Sequence, residues 1–231
     1  MEKFENLLDG YNKALKKLRE KQRATADDIN ILDILDFTYD ELRHSRFIAY
    51  LLDPLATHAQ GKLFFEIFLK KLNLPPDYAQ DDNYRVQLEV QHAESRIDIE
   101  ITHKRGCGRK FIIHIENKVG SMPDKSQIDK ENRDLIKEAE FMEIPNENRH
   151  GFLLSPEDPG AEFFAGTVFK WLGWDTVAEC LKDFINQAQA EKAKWMAWQY
   201  LECIEKNIIK AKREKEEVKN AEIERNRSIS S

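Results

Sequence analysis

The chain has 231 residues, 41% of them hydrophobic and 34% charged, with a formal net charge of −6. That length can bury a sizeable core, and the composition argues against a largely disordered chain. The negative balance excludes a global basic field, so a nucleic-acid partner would have to meet local basic patches or bound cations.

Residues 2–22 predict an amphipathic helix, with Phe4, Leu7, Leu8, Tyr11, Leu15 and Leu18 at spacings of three and four. "TADDIN" predicts a helix start capped by Thr25 or Asp27, followed by a helical stretch through Leu35. A third helix is predicted from about Tyr39 through "ELRHSRFIAYLL", where Pro54 stops it. Residues 62–72 predict a fourth, and "NLPPDYAQDDN" a linker. The period then changes. Residues 84–91, 95–103 and 110–118 alternate like strands, with "KRGCGR" turning between the last two. Residues 124–143 are helical, 150–156 a strand, 169–174 a short strand, and 175–189 a helix. One long helical pattern from Glu191 ends the chain, apolar at first and then charged, and offers a surface for self-association.

No repeat or Gly/Ser linker divides the chain. The expectation is one α/β domain over 1–231, a small mixed sheet flanked by helices. Helices occupy 1–75, the core sheet with its inserted helix 84–175, and helices 176–231. Cys107, Cys180 and Cys203 are odd in number and far apart, with no zinc-type spacing, which favours a reducing interior. "MEKFENLLDG" has no signal-peptide pattern, and no apolar run approaches the ~20 residues of a bilayer span. The expected setting is cytoplasmic, with no membrane partner.

The strand hairpin holds the chemistry. Residues two apart share a strand face, so Arg96, Asp98 and Glu100 lie on one face and Ile97, Ile99 and Ile101 on the other. On the next strand His114, Glu116 and Lys118 oppose Ile113 and Ile115 in the same way. A turn centred on Cys107 keeps the apolar faces together and sets Asp98 against Glu116 and Glu100 against His114. Directly opposed Cβ atoms lie about 4.5–5.5 Å apart, where two carboxylates repel unless something neutralises them. A hard divalent cation does so, and the Lys118 ammonium beside it would orient a bound water, deprotonate it, or stabilise phosphoryl charge. On the helix before, Glu41, His44, Ser45, Ile48, Leu51 and Leu52 form one stripe that turns polar at Glu41.

These residues resemble the PD-(D/E)XK nuclease superfamily. Asp98 in "RIDIEI" precedes Glu116-Asn117-Lys118 in "IIHIENK", with Ile97 where the motif has proline. "YDELRHSRFIAYLLDP", "HAQGKLFFEIFL", "KSQIDKENRDL", "GFLLSP" and "FKWLGWDTVAECL" are similar to the neighbouring elements of one branch, over about residues 30–205. The resemblance implies a restriction-endonuclease-like αβββαβ core that binds Mg²⁺, with Mn²⁺ as substitute, and hydrolyses phosphodiester bonds, usually of DNA. It implies Asp98, Glu116 and the Asn117 backbone carbonyl as metal ligands, with Glu41 as a further carboxylate. Lys118 would be the catalytic lysine and Gln127 an auxiliary residue. Related members often carry a tyrosine four residues after that glutamine; here the position is Glu131. The rival reading is a catalytically silent module of the same fold that binds nucleic acid or a protein.

Lys104, Arg105, Arg109 and Lys110 cluster at the hairpin tip, and Arg96 stands opposite Lys118; these are the candidate phosphate contacts. The six histidines lack zinc-ligand spacing, so His114 reads as a hydrogen-bonded residue of the polar face. The four tryptophans, Trp171, Trp174, Trp195 and Trp198, are expected in the core.

Overall fold

Alternating isoleucines build the centre of the molecule. The computed structural model describes residues 2–26, 29–104, 108–120 and 124–211. Strands β1 (Tyr84–Gln91), β2 (Arg96–His103), β3 (Ile112–Asn117), β4 (Arg149–Ser155) and β5 (Phe169–Gly173) form one sheet in chain order. β1, β2 and β3 run antiparallel, while β3, β4 and β5 are parallel. The sheet is therefore mixed, and the first parallel step is made by helix α5 (Lys125–Phe141).

The β2–β3 register is the one the isoleucine pattern dictates: Ile99 faces Ile115, Glu100 faces His114 and Ile101 faces Ile113. A slip by one residue would send these isoleucines to the polar face. Ile99, Ile101, Ile113, Ile115, Phe152 and Leu154 join the larger core. That core is completed by α3 (Glu41–Leu52), α4 (Leu63–Lys71), α6 (Trp174–Gln187) and α7 (Glu191–Ile204). The opposite sheet face is covered by α5, where Ile128, Leu135 and Ala139 pack on Ile112, Leu153 and Phe169. Gly151 is required there, because a Cβ would meet the Phe169 ring.

The sheet flanked by helices and the long C-terminal helix agree with the expectation. That helix continues from α7 into a π-helical stretch, Glu205–Ile209, whose Ile208 and Ile209 are buried in the chain's own core. The charged pattern past residue 211 lies outside the described residues. No described helix is long and apolar enough to cross a membrane.

Several local expectations change. Helix α2 is a single turn (Ile31–Ile34), capped by Asn30, whose side chain accepts from the Leu32 and Asp33 N–H groups. Thr25 instead ends α1 (Glu2–Thr25), and Asp27 lies outside the described residues. The apolar stripe of α1 is exposed, Phe4, Leu7 and Tyr11 included. The expected linker holds a 3-10 turn, Pro76–Asp82, that buries Tyr78 against Phe111. Trp174 is buried, but Trp195 and Trp198 are exposed. They fall on the outer face of α7, whose inner face is Ala193, Ala197, Tyr200 and Leu201. Cys180 and Cys203 are free and buried, and Cys107 lies outside the described residues.

Candidate active site

Three elements converge where β3 ends. Asp40 caps α3 by accepting from the Arg43 N–H, which puts Glu41 in the first helical turn. Asp124 caps α5 by accepting from the Gln127 N–H, which puts Gln127 in that helix's first turn and Glu131 one turn later. Between the two helix starts, β2 and β3 supply Asp98, Glu116, Asn117 and Lys118.

Asn117 ties β3 to α3. Its side-chain amide donates to the Glu41 carbonyl at 2.9 Å and to Ser45 Oγ at 3.1 Å. Its backbone N–H donates to Asp98 Oδ2 at 2.8 Å. The next N–H groups are also held, Lys118 by the Leu154 carbonyl at 2.7 Å and Val119 by Glu41 Oε1 at 3.1 Å. Trp174 Nε1 donates to the Lys118 carbonyl at 3.1 Å. The Lys118 side chain lies between Glu116 Oε1 at 2.8 Å and Glu41 Oε2 at 3.4 Å.

The electrostatics describe a site short of positive charge. Burial and the nearby Glu116 raise the Asp98 pKa to about 7. Burial raises that of Glu116 as well, against the pull of Lys118. Burial works to lower the Lys118 pKa, but Glu116, Glu41 and Asp98 outweigh it and leave the amine above its ordinary value. Lys118 is therefore an ammonium at neutral pH, suited to orienting water or stabilising negative charge and not to removing a proton. Glu116 Oε2 is buried with no hydrogen-bond partner. Two adjacent carboxylates with an unpartnered oxygen are a donor set that fits a hard divalent cation.

Gln127 lies beside the carboxylates. Its amide nitrogen donates to Glu116 Oε1 at 2.6 Å and to Glu131 Oε1 at 2.9 Å. Glu131 is the residue that sequence reasoning missed. It is fully buried, its Oε2 has no partner, and burial and Glu116 raise its pKa to about 9. The only signal in the sequence was its spacing of four from Gln127. Glu89 is a second newcomer. It lies between Leu88 and Val90, which pair with Ile99 and Ile97, and so stands opposite Asp98. Its positive φ of 53° is strain stored beside the site.

Glu41 reaches the site from α3, where its oxygens accept from the Val119 N–H and the Lys118 ammonium. Other candidates sit elsewhere. The described hairpin-tip residues, Lys104, Arg109 and Lys110, lie at the far end of the strands from Asp98 and Glu116. Arg109 is held by Asn148 at 3.1 Å and by Asp77 at 3.4 Å, and Lys110 by the Met142 carbonyl and Glu143. Lys104 is anchored through its N–H to the Asn83 carbonyl at 2.7 Å, and Arg105 lies outside the described residues. Arg96 pairs with Glu89 at 3.1 Å and is exposed. His44 is buried and bonded to Tyr200 and the Thr38 carbonyl, and Ser45 bonds α3's own backbone, so neither is free for chemistry. A shallow cleft of about 590 Å³, lined by Tyr39, Asp40, Glu41 and Arg43 among others, opens the α3 end of the site to solvent.

A family model for the PD-(D/E)XK nuclease superfamily matches residues 29–225. No curated protein and no solved structure matches the chain.

Proposed function

Since the chain belongs to the PD-(D/E)XK nuclease superfamily, we propose that it is a Mg²⁺-dependent nuclease that hydrolyses phosphodiester bonds of DNA at the Asp98/Glu116/Lys118 site. The observation that carries this reading is the Lys118 ammonium, 2.8 Å from Glu116, beside a buried carboxylate pair.

Asp98, Glu116 and the Asn117 backbone carbonyl are the groups to hold Mg²⁺, with Mn²⁺ as substitute. The bound ion would supply Lewis-acid stabilisation of phosphoryl charge. Lys118 orients the attacking water and faces the charge that develops on the phosphoryl oxygens. Glu41 fixes Lys118 from the helix side, and Gln127 fixes Glu116. The overall reaction is an in-line displacement at phosphorus: water adds a P–O bond, the bridging P–O bond breaks, and the leaving oxygen takes up a proton. Local carboxylates and a bound cation account for phosphodiester chemistry in a chain of net charge −6.

The test is cleavage of plasmid and linear DNA, and of RNA, by wild type, Asp98→Ala and Lys118→Ala with Mg²⁺ or Mn²⁺. Metal-dependent cleavage of DNA that both substitutions abolish is the expected result. Variants that cut as fast as wild type would overturn the assignment, and cleavage of RNA alone would overturn the substrate.

A further inference from the structure

The polar face of the hairpin does not end at Asp98 and Glu116. Two residues further along each strand stand Glu100 and His114, and the loop after β1 brings His92 over them. His92 Nε2 lies 2.8 Å and His114 Nε2 3.0 Å from the same oxygen, Glu100 Oε2. The three ligand atoms lie within 4.8 Å of one another, the one such trio of His, Cys, Asp or Glu among the described residues. We propose that His92, Glu100 and His114 form a second divalent-cation site, separate from the nuclease centre, for a borderline transition ion such as Zn²⁺.

The ligand chemistry sets the class of ion. Two imidazoles and one carboxylate suit Zn²⁺, Co²⁺ or Ni²⁺, whereas Mg²⁺ and Ca²⁺ prefer oxygen donors alone. Tetrahedral arms of ~2.0 Å place neighbouring ligand atoms about 3.3 Å apart. The observed 2.8 and 3.0 Å need to open by a few tenths of an ångström once the ion replaces the shared protons, while the two imidazole nitrogens, within 4.8 Å of each other, draw towards the same edge length.

The scaffold is firm. Glu100 and His114 are opposed across the β2–β3 ladder, and both are buried. The loop carrying His92 is pinned by Asp134 of α5, which accepts from the Glu94 N–H at 2.9 Å and from Ser95 Oγ at 2.8 Å. His92 is the most exposed of the three ligands and gives the ion a way in. One ligand comes from each of three successive segments, so the ion would staple β1, β2 and β3 one strand step from Asp98. His114 Nδ1 is buried without a partner. A cation on Nε2 would leave the ring proton on that nitrogen, which costs about one to two orders of magnitude in affinity. Binding should therefore be weaker than at a fully supported site.

The test is Co²⁺ titration of the chelator-stripped, tag-free full chain in excess Mg²⁺, read by visible d–d absorption. One equivalent of Co²⁺ should give a band that Zn²⁺ displaces. His92→Ala, at the rim, and the isosteric Glu100→Gln should each weaken Co²⁺ binding at least about tenfold, while Asp98→Ala keeps the band. Zn²⁺ should also raise the wild-type Tm and not that of these two ligand variants. No band in wild type, an unchanged band in both ligand variants, or a band lost with Asp98→Ala would overturn the site. Failure of DNA cleavage would leave this result standing, so the two readings are separable.

Discussion

Asn117 donates its side-chain amide to the backbone carbonyl of Glu41 at 2.9 Å, and through that bond the first turn of α3 is set against the end of β3. The middle residue of Glu116-Asn117-Lys118 thus has its own task, to bring the helix carboxylate to the strand lysine. Asn117→Ala breaks the two strand-to-helix bonds, to the Glu41 carbonyl and to Ser45 Oγ, and leaves that carbonyl only its bonds within α3, such as the one from Ser45 Oγ. The expected cost is about 1–3 kcal/mol, a Tm drop of several degrees in thermal melts. Cleavage should fall with it, because Glu41 no longer holds Lys118. An unchanged Tm would refute the tie.

Lys118 and Asp98 should fail in different ways. Lys118→Ala removes the ammonium but leaves both carboxylates. Cleavage should drop by about 100-fold or more, while Mn²⁺ binding, measured by calorimetry, persists. Asp98→Ala should lose both. Equal loss of Mn²⁺ binding in the two variants would mean that Lys118 holds the site together and does not act on substrate.

Which parts of this arrangement were legible in the sequence follows from locality. The β2–β3 register was readable because Ile97, Ile99, Ile101, Ile113 and Ile115 share one parity, so a single register keeps them together, with Ile112 alone on the face that α5 covers. Glu116 and Lys118 were readable for the same reason. His92 was not, because its approach to Glu100 depends on a loop fixed by Asp134, 39 residues from Ser95. The ion pairs of Arg109 and Lys110 were not legible because their partners, Asp77 and Glu143, are distant in sequence. Glu131 stood out in the sequence only as a glutamate where related members carry a tyrosine, and its burial appears only once α5 docks on the sheet. Trp195 and Trp198 share α7 with a buried face that small residues and Tyr200 already fill.

The buried acids give the metal-free protein a specific pH dependence. The pKa of Asp98 is raised from 3.8 to about 7 and that of Glu131 from 4.5 to about 9, in both cases by burial first and Glu116 second. Raised folded values mean that the native state keeps protons the unfolded chain has released. Stability is greatest below the unfolded values and is lost as pH rises through 7 and towards 9. The slope is at most about 1.4 kcal/mol per pH unit for each retained proton. Below pH 7 the buried histidines, His44 and His150 among them, oppose this slope because burial lowers their pKa. Thermal melts in chelator should therefore show Tm falling from pH 7.5 to 9, and Mg²⁺ should flatten the trend by taking the place of the protons. A Tm that rises with pH over that range in chelator would contradict this.

Glu131→Gln isolates one of these acids. The amide oxygen can still accept from Gln127, so the packing of α5 on the sheet is retained, but the side chain cannot ionise. In chelator, the variant should gain Tm over wild type, and the gain should widen between pH 5 and pH 9 as wild-type Glu131 is driven to shed its proton. Mn²⁺ titration gives the second readout. If Glu131 shapes the charge around Glu116, the variant binds Mn²⁺ with altered affinity, and the pH at which cleavage reaches half its maximum shifts. If Glu131 is only a packing residue, Mn²⁺ affinity and the pH profile stay at the wild-type values while the Tm gain remains. Its side-chain hydrogen bond, from the Gln127 that also holds Glu116, favours the first outcome.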